Sequence, residues 1–241
     1  MSFKETKWDI LLPSYLVDTE KDRLKQYLLQ FFDPKHRENE KRYDNFYHTS
    51  PPNYFLQGDL IKSIPSVFWD YQKGQYSFQK SPVILLSNTC DVNEDNERLQ
   101  EKQAIYAPIT YLDFYLNALK EIGLTDEQIK STYVNLRNQT YSNIFYLPPI
   151  LKNGKEAVIL FDTLYSQPAT ILQESLSKIN TDRIASLSHF GLYLLLSKLS
   201  YHFCRVPEND DRKEEIIPPP VLDKTQSYPF NKWLDFYSSH T

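Results

Sequence analysis

The chain has 241 residues, with 27 lysines and arginines against 31 aspartates and glutamates and a formal net charge of −4. This length allows one large domain or two small ones, and the slightly acidic balance argues against a protein coated with basic charge for non-specific nucleic-acid binding. The longest apolar run, residues 190–196, is far shorter than the roughly 20 residues that cross a bilayer, and the charged N-terminal residues do not resemble a signal peptide. We therefore expect a cytoplasmic protein without membrane contact.

Glycine and cysteine usage excludes several common chemistries. The five glycines are isolated from one another, so the closely spaced glycines that hold phosphates in dinucleotide-binding folds and P-loops are absent. The two cysteines, Cys90 and Cys204, lack the spacing of a zinc site and are most simply reduced thiols. We expect no cofactor and no metal ion.

The first predicted element is a helix over residues 18–33, where apolar residues recur at helical spacing until Pro34 ends the pattern. A charged connection over residues 35–53 follows and predicts a hinge. Beyond it, short β-branched and aromatic runs predict strands near 55–64, 82–88, 104–110, 144–150 and 157–164. A compact β-barrel built from these strands is the natural way to bury them.

Two helical segments accompany the predicted strands. Residues 111–133 place apolar side chains on one face, and Thr125 followed by Gln128 predicts a capping box at the start of a second short helix. Residues 181–205 carry apolar side chains on more than one side of a helix. We expect this last helix to bury an interface, either against a second copy of the chain or against the N-terminal helix.

The order of the short strings along the chain is more specific than their composition. The strings are QGDLI at 57–61, SPVILLSN at 81–88, AIYAPIT at 104–110 and NIFYLPPI at 143–150, followed by AVILFDTLYS and TDRIASLS. This order resembles the PemK/MazF toxin family, whose first strand opens with Gly-Asp and whose third strand ends in Ala-Pro-Ile-Thr or a similar string. The resemblance implies an α+β protein with a small SH3-like β-barrel decorated by helices.

The resemblance covers residues 57–190 and divides the chain into three parts. Residues 1–53 are a helical N-terminal extension. Residues 54–190 are the PemK/MazF-like barrel, with a helical insertion at 111–142. Residues 191–241 are a C-terminal helix and a tail that wraps back onto the fold.

Members of the family are ribonucleases that need neither metal nor cofactor, which implies two functional positions here. Thr110 occupies the position of a hydroxyl that closes the third strand and helps to handle a proton. The arginine that stabilises charge on the phosphate is replaced by Ser81. Three cations could supply the missing charge: Lys80, Arg137 and Arg183. Because neighbouring strand residues point to opposite faces, the side chain of Lys80 should point away from that of Ser81.

Further candidate binding residues follow the second strand: Ser87, Asn88, Cys90 and Asp91. Cys90 could act as a nucleophile if His189 came within hydrogen-bond reach. The simpler interpretations are a half-buried thiol, an aspartate that starts a turn and a packed or capping histidine. Arg183 is a candidate because a basic residue gains nothing from the dipole at a helix start, and its simpler interpretation is a surface salt bridge. Asp59 is expected to be structural.

Three functions are consistent with these residues. The first is a partner- or nucleic-acid-binding module with a degenerate ribonuclease site, from a bacterial or phage-derived toxin–antitoxin or phage-defence system. Its partner would be an antitoxin-like protein, a complex subunit or single-stranded RNA, and the chain could form a homodimer. The second is an active, metal-independent endoribonuclease with a rearranged site around Thr110. The third is a hydrolase that depends on Cys90. The missing arginine favours the first function.

Overall fold

The structure is a computed structural model that describes residues 17–32, 40–70, 73–92, 102–150, 154–172 and 178–204. The helices are α1 (Asp18–Phe32), α2 (Thr89–Val92), α3 (Leu112–Glu121), α4 (Asp126–Arg137), α5 (Ile179–Asp182) and α6 (His189–Cys204). The strands are β1 (Asp59–Asp70), β2 (Gln75–Leu85), β3 (Gln103–Tyr111), β4 (Ile144–Leu147), β5 (Ala157–Leu160), β6 (Tyr165–Pro168) and β7 (Arg183–Ser186). Short 3₁₀ turns lie at Glu40–Tyr43 and Ala169–Leu172.

The strands form one antiparallel sheet in the order β4-β5-β3-β2-β1-β7, and β6 pairs with the first half of β3. The predicted α+β class is confirmed. The predicted second and third strands also pair as neighbours, since residues 83–85 lie opposite residues 106–108. Within the described part of the chain, β4 and β7 do not pair with each other, so the sheet is not closed into a barrel.

Several predicted elements are confirmed with shifted ends. Helices α3 and α4 fill the predicted insertion, and the Thr125 side chain accepts a hydrogen bond from the backbone N–H of Gln128 in a reciprocal capping box. The prediction of one helix over 181–205 is wrong in its first part, because residues 183–186 form β7 and α6 begins at His189. The four residues of β7 are buried, and their backbone pairs with β1 instead of making helical hydrogen bonds.

The predicted hinge and tail are described only in part. Residues 40–53 of the hinge hold two buried aromatic side chains, Phe46 and Tyr47, and Tyr47 forms a β-bridge with Leu187. Residues 33–39 and the predicted wrapping tail lie outside the described residues. The described part of the hinge therefore packs against the fold.

One face of the sheet packs against α1 and α6. Residues directly opposite one another in paired strands share a face, so Leu60, Ile84 and Ala107 line this face together, each fully buried. Full burial of one such aliphatic side chain stabilises the fold by about 1.5–3 kcal/mol. Helix α1 contacts α6 through Tyr27 and Phe190, whose ring centroids are 4.8 Å apart. The predicted contact between the last helix and the N-terminal helix is therefore confirmed.

The opposite face of the sheet carries two smaller apolar clusters. One lies beneath α3 and α4 and consists of Leu112, Leu136, Ile144, Tyr146 and Val158. The other includes Ile61, Val83, Leu85 and Tyr106, nearer to β1 and β2. The helical insertion therefore covers the face at the β3-β5-β4 side of the sheet, where Thr110 lies.

At Gly191, α6 packs directly against the backbone of the described part of the hinge. A Cβ atom at this position would lie 2.6 Å from the backbone oxygen of Phe46, closer than real Cβ contacts. Replacing a helical glycine with alanine normally stabilises a helix by about 1 kcal/mol. Here we expect Gly191→Ala to lower the free energy of unfolding by about 1–3 kcal/mol, because backbone must shift to admit the methyl group.

Urea denaturation followed by circular dichroism measures this effect. The matched control is Ser200→Ala, at an exposed position of the same helix, which we expect to leave stability unchanged or slightly raised. A Gly191→Ala protein as stable as the wild type would contradict the close packing of α6 on residue 46.

Candidate functional site

Thr110 lies near the end of β3, on the sheet face that α3 and α4 cover. It is partly exposed and stands directly opposite Val158 of β5, which in turn stands opposite Tyr146 of β4. These three residues form a row across the face, because directly paired residues share a face. Any chemistry of the Thr110 hydroxyl must therefore draw on groups that surround this row.

A cluster of polar side chains lies at the Tyr146 end of the row. It consists of Tyr133 and Arg137 from α4, Tyr146 from β4 and Glu156 before β5, and we call it the Glu156 cluster. The Tyr146 hydroxyl donates a short hydrogen bond to Glu156 Oε1, and the Tyr133 hydroxyl lies 3.4 and 3.3 Å from the two carboxylate oxygens. Arg137 Nε lies 3.9 Å from Glu156 Oε1. The sequence candidate Arg137 thus joins a carboxylate on the face that carries Thr110.

The Glu156 cluster is half-buried and internally bonded. Burial and the hydrogen bond to Glu156 raise the pKa of Tyr146 far above its usual value, so this phenol stays protonated and keeps donating. The Arg137 guanidinium carbon lies 5.6 Å from the centre of the Tyr133 ring. A carboxylate can take up a proton, and a neighbouring guanidinium can bind an anion. Here each group is already engaged within the cluster. New chemistry would require displacing these contacts.

Arg183 is placed far from Thr110 in the sheet order. It opens the edge strand β7 and is buried, with its Nε 2.9 Å from Asp59 Oδ2. It also donates to the backbone oxygen of Pro52 at 2.7 Å and to that of Tyr54. The simple alternative of a surface salt bridge is wrong, because this ion pair is buried.

The partner of Arg183 is also buried. Asp59 is fully inaccessible, and its burial raises the pKa of the carboxyl, while the Leu56 N–H and the Arg183 guanidinium oppose that rise. The carboxylate fixes the turn before β1 because the Leu56 N–H donates to Asp59 Oδ2 at 2.9 Å. The predicted structural role of Asp59 is confirmed, and Arg183 shares that role.

Lys80 lies on the part of the β1–β2 hairpin that extends beyond the core. It is exposed and occupies every second position along β2 together with two exposed aromatic residues, Tyr76 and Phe78. Their exposed fractions are 69% and 79%. Alternate residues of a strand point to one face, so the three form a row that we call the hairpin face. Sequence reasoning missed both aromatics, although the alternation within QYSFQKS is a signal for a strand with one aromatic face.

The candidates after the second strand mainly organise the backbone. The buried Ser87 hydroxyl accepts from the Ile105 N–H at 2.7 Å and donates to the Gln103 oxygen at 3.4 Å. The Asn88 side-chain oxygen accepts from the Cys90 N–H at 3.0 Å, which starts the short helix α2 that holds Asp91. Ser87 and Asn88 therefore continue the β2–β3 pairing and cap a turn.

The structure does not bring Cys90 and His189 together. Cys90 is exposed on α2, while His189 is exposed at the start of α6 with its ring 5.5 Å from that of Tyr193. No hydrogen bond joins Cys90 to His189 in the described ranges. The predicted pairing of Cys90 with His189 is therefore not formed.

The described residues hold neither a cluster of metal-ligating side chains nor a membrane-spanning helix. They contain no group of three or more histidine, cysteine, aspartate or glutamate side chains that could hold a metal ion. They also contain no helix of the length and apolarity that spanning a membrane requires. Comparison with known proteins adds no relative, since no family model and no curated protein matches the chain.

Proposed function

We propose that the chain is a divergent PemK/MazF-like cytoplasmic protein of a toxin–antitoxin or phage-defence system that binds single-stranded RNA without cutting it. In this proposal residues 54–190 are a relative of the family's SH3-like barrel, with the helical insertion at 111–142. The five predicted strands lie in one antiparallel sheet, and this supports the relationship. Residues 1–53 and 191–241 are additions to the family's unit.

The absence of cleavage in this proposal follows from where the cations lie. Arg183 is held in a buried ion pair, and Lys80 stands on the hairpin face instead of beside Thr110. Arg137 is engaged with Glu156 and Tyr133. Removing one preorganised donor to a transition state typically lowers a rate by about 100- to 1,000-fold. Because each of these cations is held elsewhere, none is placed to stabilise charge on a phosphate at Thr110. Bound RNA should therefore stay uncleaved.

The hairpin face is the observation that carries the binding proposal. Tyr76 and Phe78 are both exposed and stand two residues apart on one strand, a backbone spacing of about 7 Å, and Lys80 continues the row. Proteins that bind single strands combine aromatic rings, on which bases stack, with cations that contact the backbone phosphates. Stacking of this kind is worth about 1–3 kcal/mol per base and tolerates different sequences. The hairpin face fits a short single-stranded segment.

The affinity for a fluorescently labelled, mixed-sequence single-stranded RNA tests the proposal. We expect Tyr76→Ala and Phe78→Ala each to weaken binding by about 5- to 150-fold, because each removes one stacking surface. Fluorescence anisotropy at fixed salt concentration measures both changes, and circular dichroism checks that the variants fold.

The matched control is Phe114→Ala on α3. Phe114 has the same exposed fraction as Tyr76, 69%, but lies outside the hairpin face. We expect this variant to bind like the wild type. Equal losses for Phe114→Ala and Phe78→Ala, or no binding by the wild type, would contradict the proposal, and capture of a protein antitoxin in place of RNA would assign the surface to a protein partner.

The second candidate function is an active endoribonuclease, and the Glu156 cluster is the observation that favours it. In such a reaction a carboxylate accepts the proton of a ribose 2′-hydroxyl while a guanidinium stabilises the charge that develops on the phosphate. Glu156 and Arg137 are of the required types and lie on the face of Thr110. Cleavage that is resistant to chelators and lost in both Thr110→Ala and Glu156→Gln would establish this function.

A further inference from the structure

Lys198 is a buried lysine whose hydrogen bonds within the described residues all go to uncharged oxygens. It lies on α6 with an exposed fraction of 4%. Its Nζ donates to the backbone and side-chain oxygens of Gln139 at 3.1 and 3.0 Å. It also donates to the backbone oxygens of Tyr141 at 2.7 Å and Ile144 at 2.6 Å. We call these four oxygens the oxygen cage. Buried lysines usually pair with a carboxylate, so this arrangement needs a separate explanation.

The oxygen cage is built into the segment that leads to β4. Gln139 has a positive φ of 55°, and its side chain pairs with both backbone groups of Tyr146, accepting from the N–H at 3.1 Å and donating to the oxygen at 2.7 Å. The side chain thus extends the hydrogen bonding of β4 at its outer edge. Because Tyr146 also donates to Glu156, the cage is linked through two hydrogen bonds to the Glu156 cluster.

The proton on Lys198 decides how many cage oxygens receive a hydrogen. An ammonium group has three N–H donors and no lone pair, whereas a neutral amine has two donors and a lone pair that repels a facing oxygen. Burial lowers the pKa of Lys198 to about 7, because removal from solvent disfavours the charged form. The hydrogen bond lost with the proton costs less than a buried charge that solvent no longer stabilises, so the proton favours a state of the segment that admits water.

Other charged and titratable groups around the segment do not replace this proton. Arg42 contacts the far side of the segment, at the Arg137 oxygen and the Asn138 side-chain oxygen, and keeps its charge at every pH considered. Burial raises the pKa of Tyr43 and of Tyr146 above their usual values, so both stay neutral. On α6 itself, His202 lies one turn beyond Lys198, 3.4 Å from Asp162.

We propose that Lys198 and the oxygen cage form a proton-operated latch between α6 and residues 139–144. In the neutral form, Lys198 stays buried among the cage oxygens, and the Gln139 side chain stays fixed on the edge of β4. In the ammonium form, the charge favours the entry of water, part of the cage is released, and Gln139 loosens its hold on Tyr146. The latch goes beyond RNA binding, since it couples pH to the edge strand and to the Glu156 cluster.

Titration of the lysine ε-carbon signals of the full-length protein by NMR tests the latch directly. We expect one lysine signal to titrate with a midpoint near 7 and to be missing from the spectrum of Lys198→Met. The backbone amide signals of Gln139, Tyr141 and Ile144 should shift with the same midpoint. His202→Gln serves as a background without the histidine that lies one turn from Lys198 on α6.

Two results would overturn the latch. One is that no lysine signal titrates near 7. The other is that Lys198 titrates near 7 while the amides of residues 139–144 stay unchanged. Lys198→Met should abolish the amide titration, and Lys130→Met, at an exposed position of α4, should leave it intact. If Lys198→Met does not fold, the wild-type titration still decides the question.

Discussion

Replacement of Arg183 with methionine is expected to lower the free energy of unfolding by about 3–5 kcal/mol, because it leaves the Asp59 charge buried without its partner. Asp59 is fully buried, and the side chain of Arg183 is only 6% exposed. The variant also removes the donors to the backbone oxygens of Pro52 and Tyr54, which position the segment before β1. Urea denaturation measured by circular dichroism reports the loss.

Two variants separate this structural role from a role in binding or catalysis. Arg23→Met breaks an exposed ion pair with Glu20 and should change stability by less than about 1 kcal/mol. The double variant Asp59→Asn with Arg183→Met should recover part of the loss, since no unpaired charge stays buried. If Arg183→Met unfolds like the wild type but loses RNA binding, then Arg183 belongs to the site and the structural assignment is wrong.

The free energy of unfolding is expected to rise by about 1.4 kcal/mol per pH unit between about pH 7 and pH 10 because of Lys198. Its pKa falls from the usual 10.5 to about 7 in the folded protein, owing to burial. Between these values the unfolded chain holds a proton that the folded chain has lost. Unfolding therefore takes up a proton and becomes less favourable as the pH rises. The contribution is complete above the unfolded pKa and is lost as the pH falls to about 7.

The slope is measured by urea denaturation at several pH values in parallel with Lys198→Met. Other titrating groups contribute equally to both proteins, so the difference between the two curves isolates Lys198. Lys130→Met, which changes an exposed lysine of α4, should keep the wild-type slope. Equal slopes for the wild type and Lys198→Met would mean that Lys198 keeps its usual pKa despite its burial.

Local patterns in the sequence were sufficient to predict much of the fold. The short runs at 82–88 and 104–110 predicted two strands of one sheet, and in the structure these strands pair directly. The Thr125–Gln128 capping box depends on residues three apart and was predicted correctly. Such features are encoded within a few residues, where spacing alone decides the geometry.

Features that depend on distant parts of the chain could not be predicted. Arg183 pairs with Asp59, 124 residues away, and its strand could not be separated from the following helix because both are apolar. Lys198 lies on an apolar helix, and nothing nearby in the sequence indicates that its partners are the oxygens of residues 139–144. Arg137 is the candidate cation that the insertion brings to the β3-β5-β4 end of the sheet, where Thr110 lies, and that placement follows from packing of the insertion.

Binding of RNA without cleavage is the central claim, and one experiment tests both halves of it. A 5′-labelled, mixed-sequence single-stranded RNA is incubated with the wild-type protein in the presence of a chelator, and the same sample is run on native and denaturing gels. We predict a retarded band on the native gel and full-length RNA on the denaturing gel. Absence of retardation, or discrete fragments that disappear with Thr110→Ala, would contradict the claim.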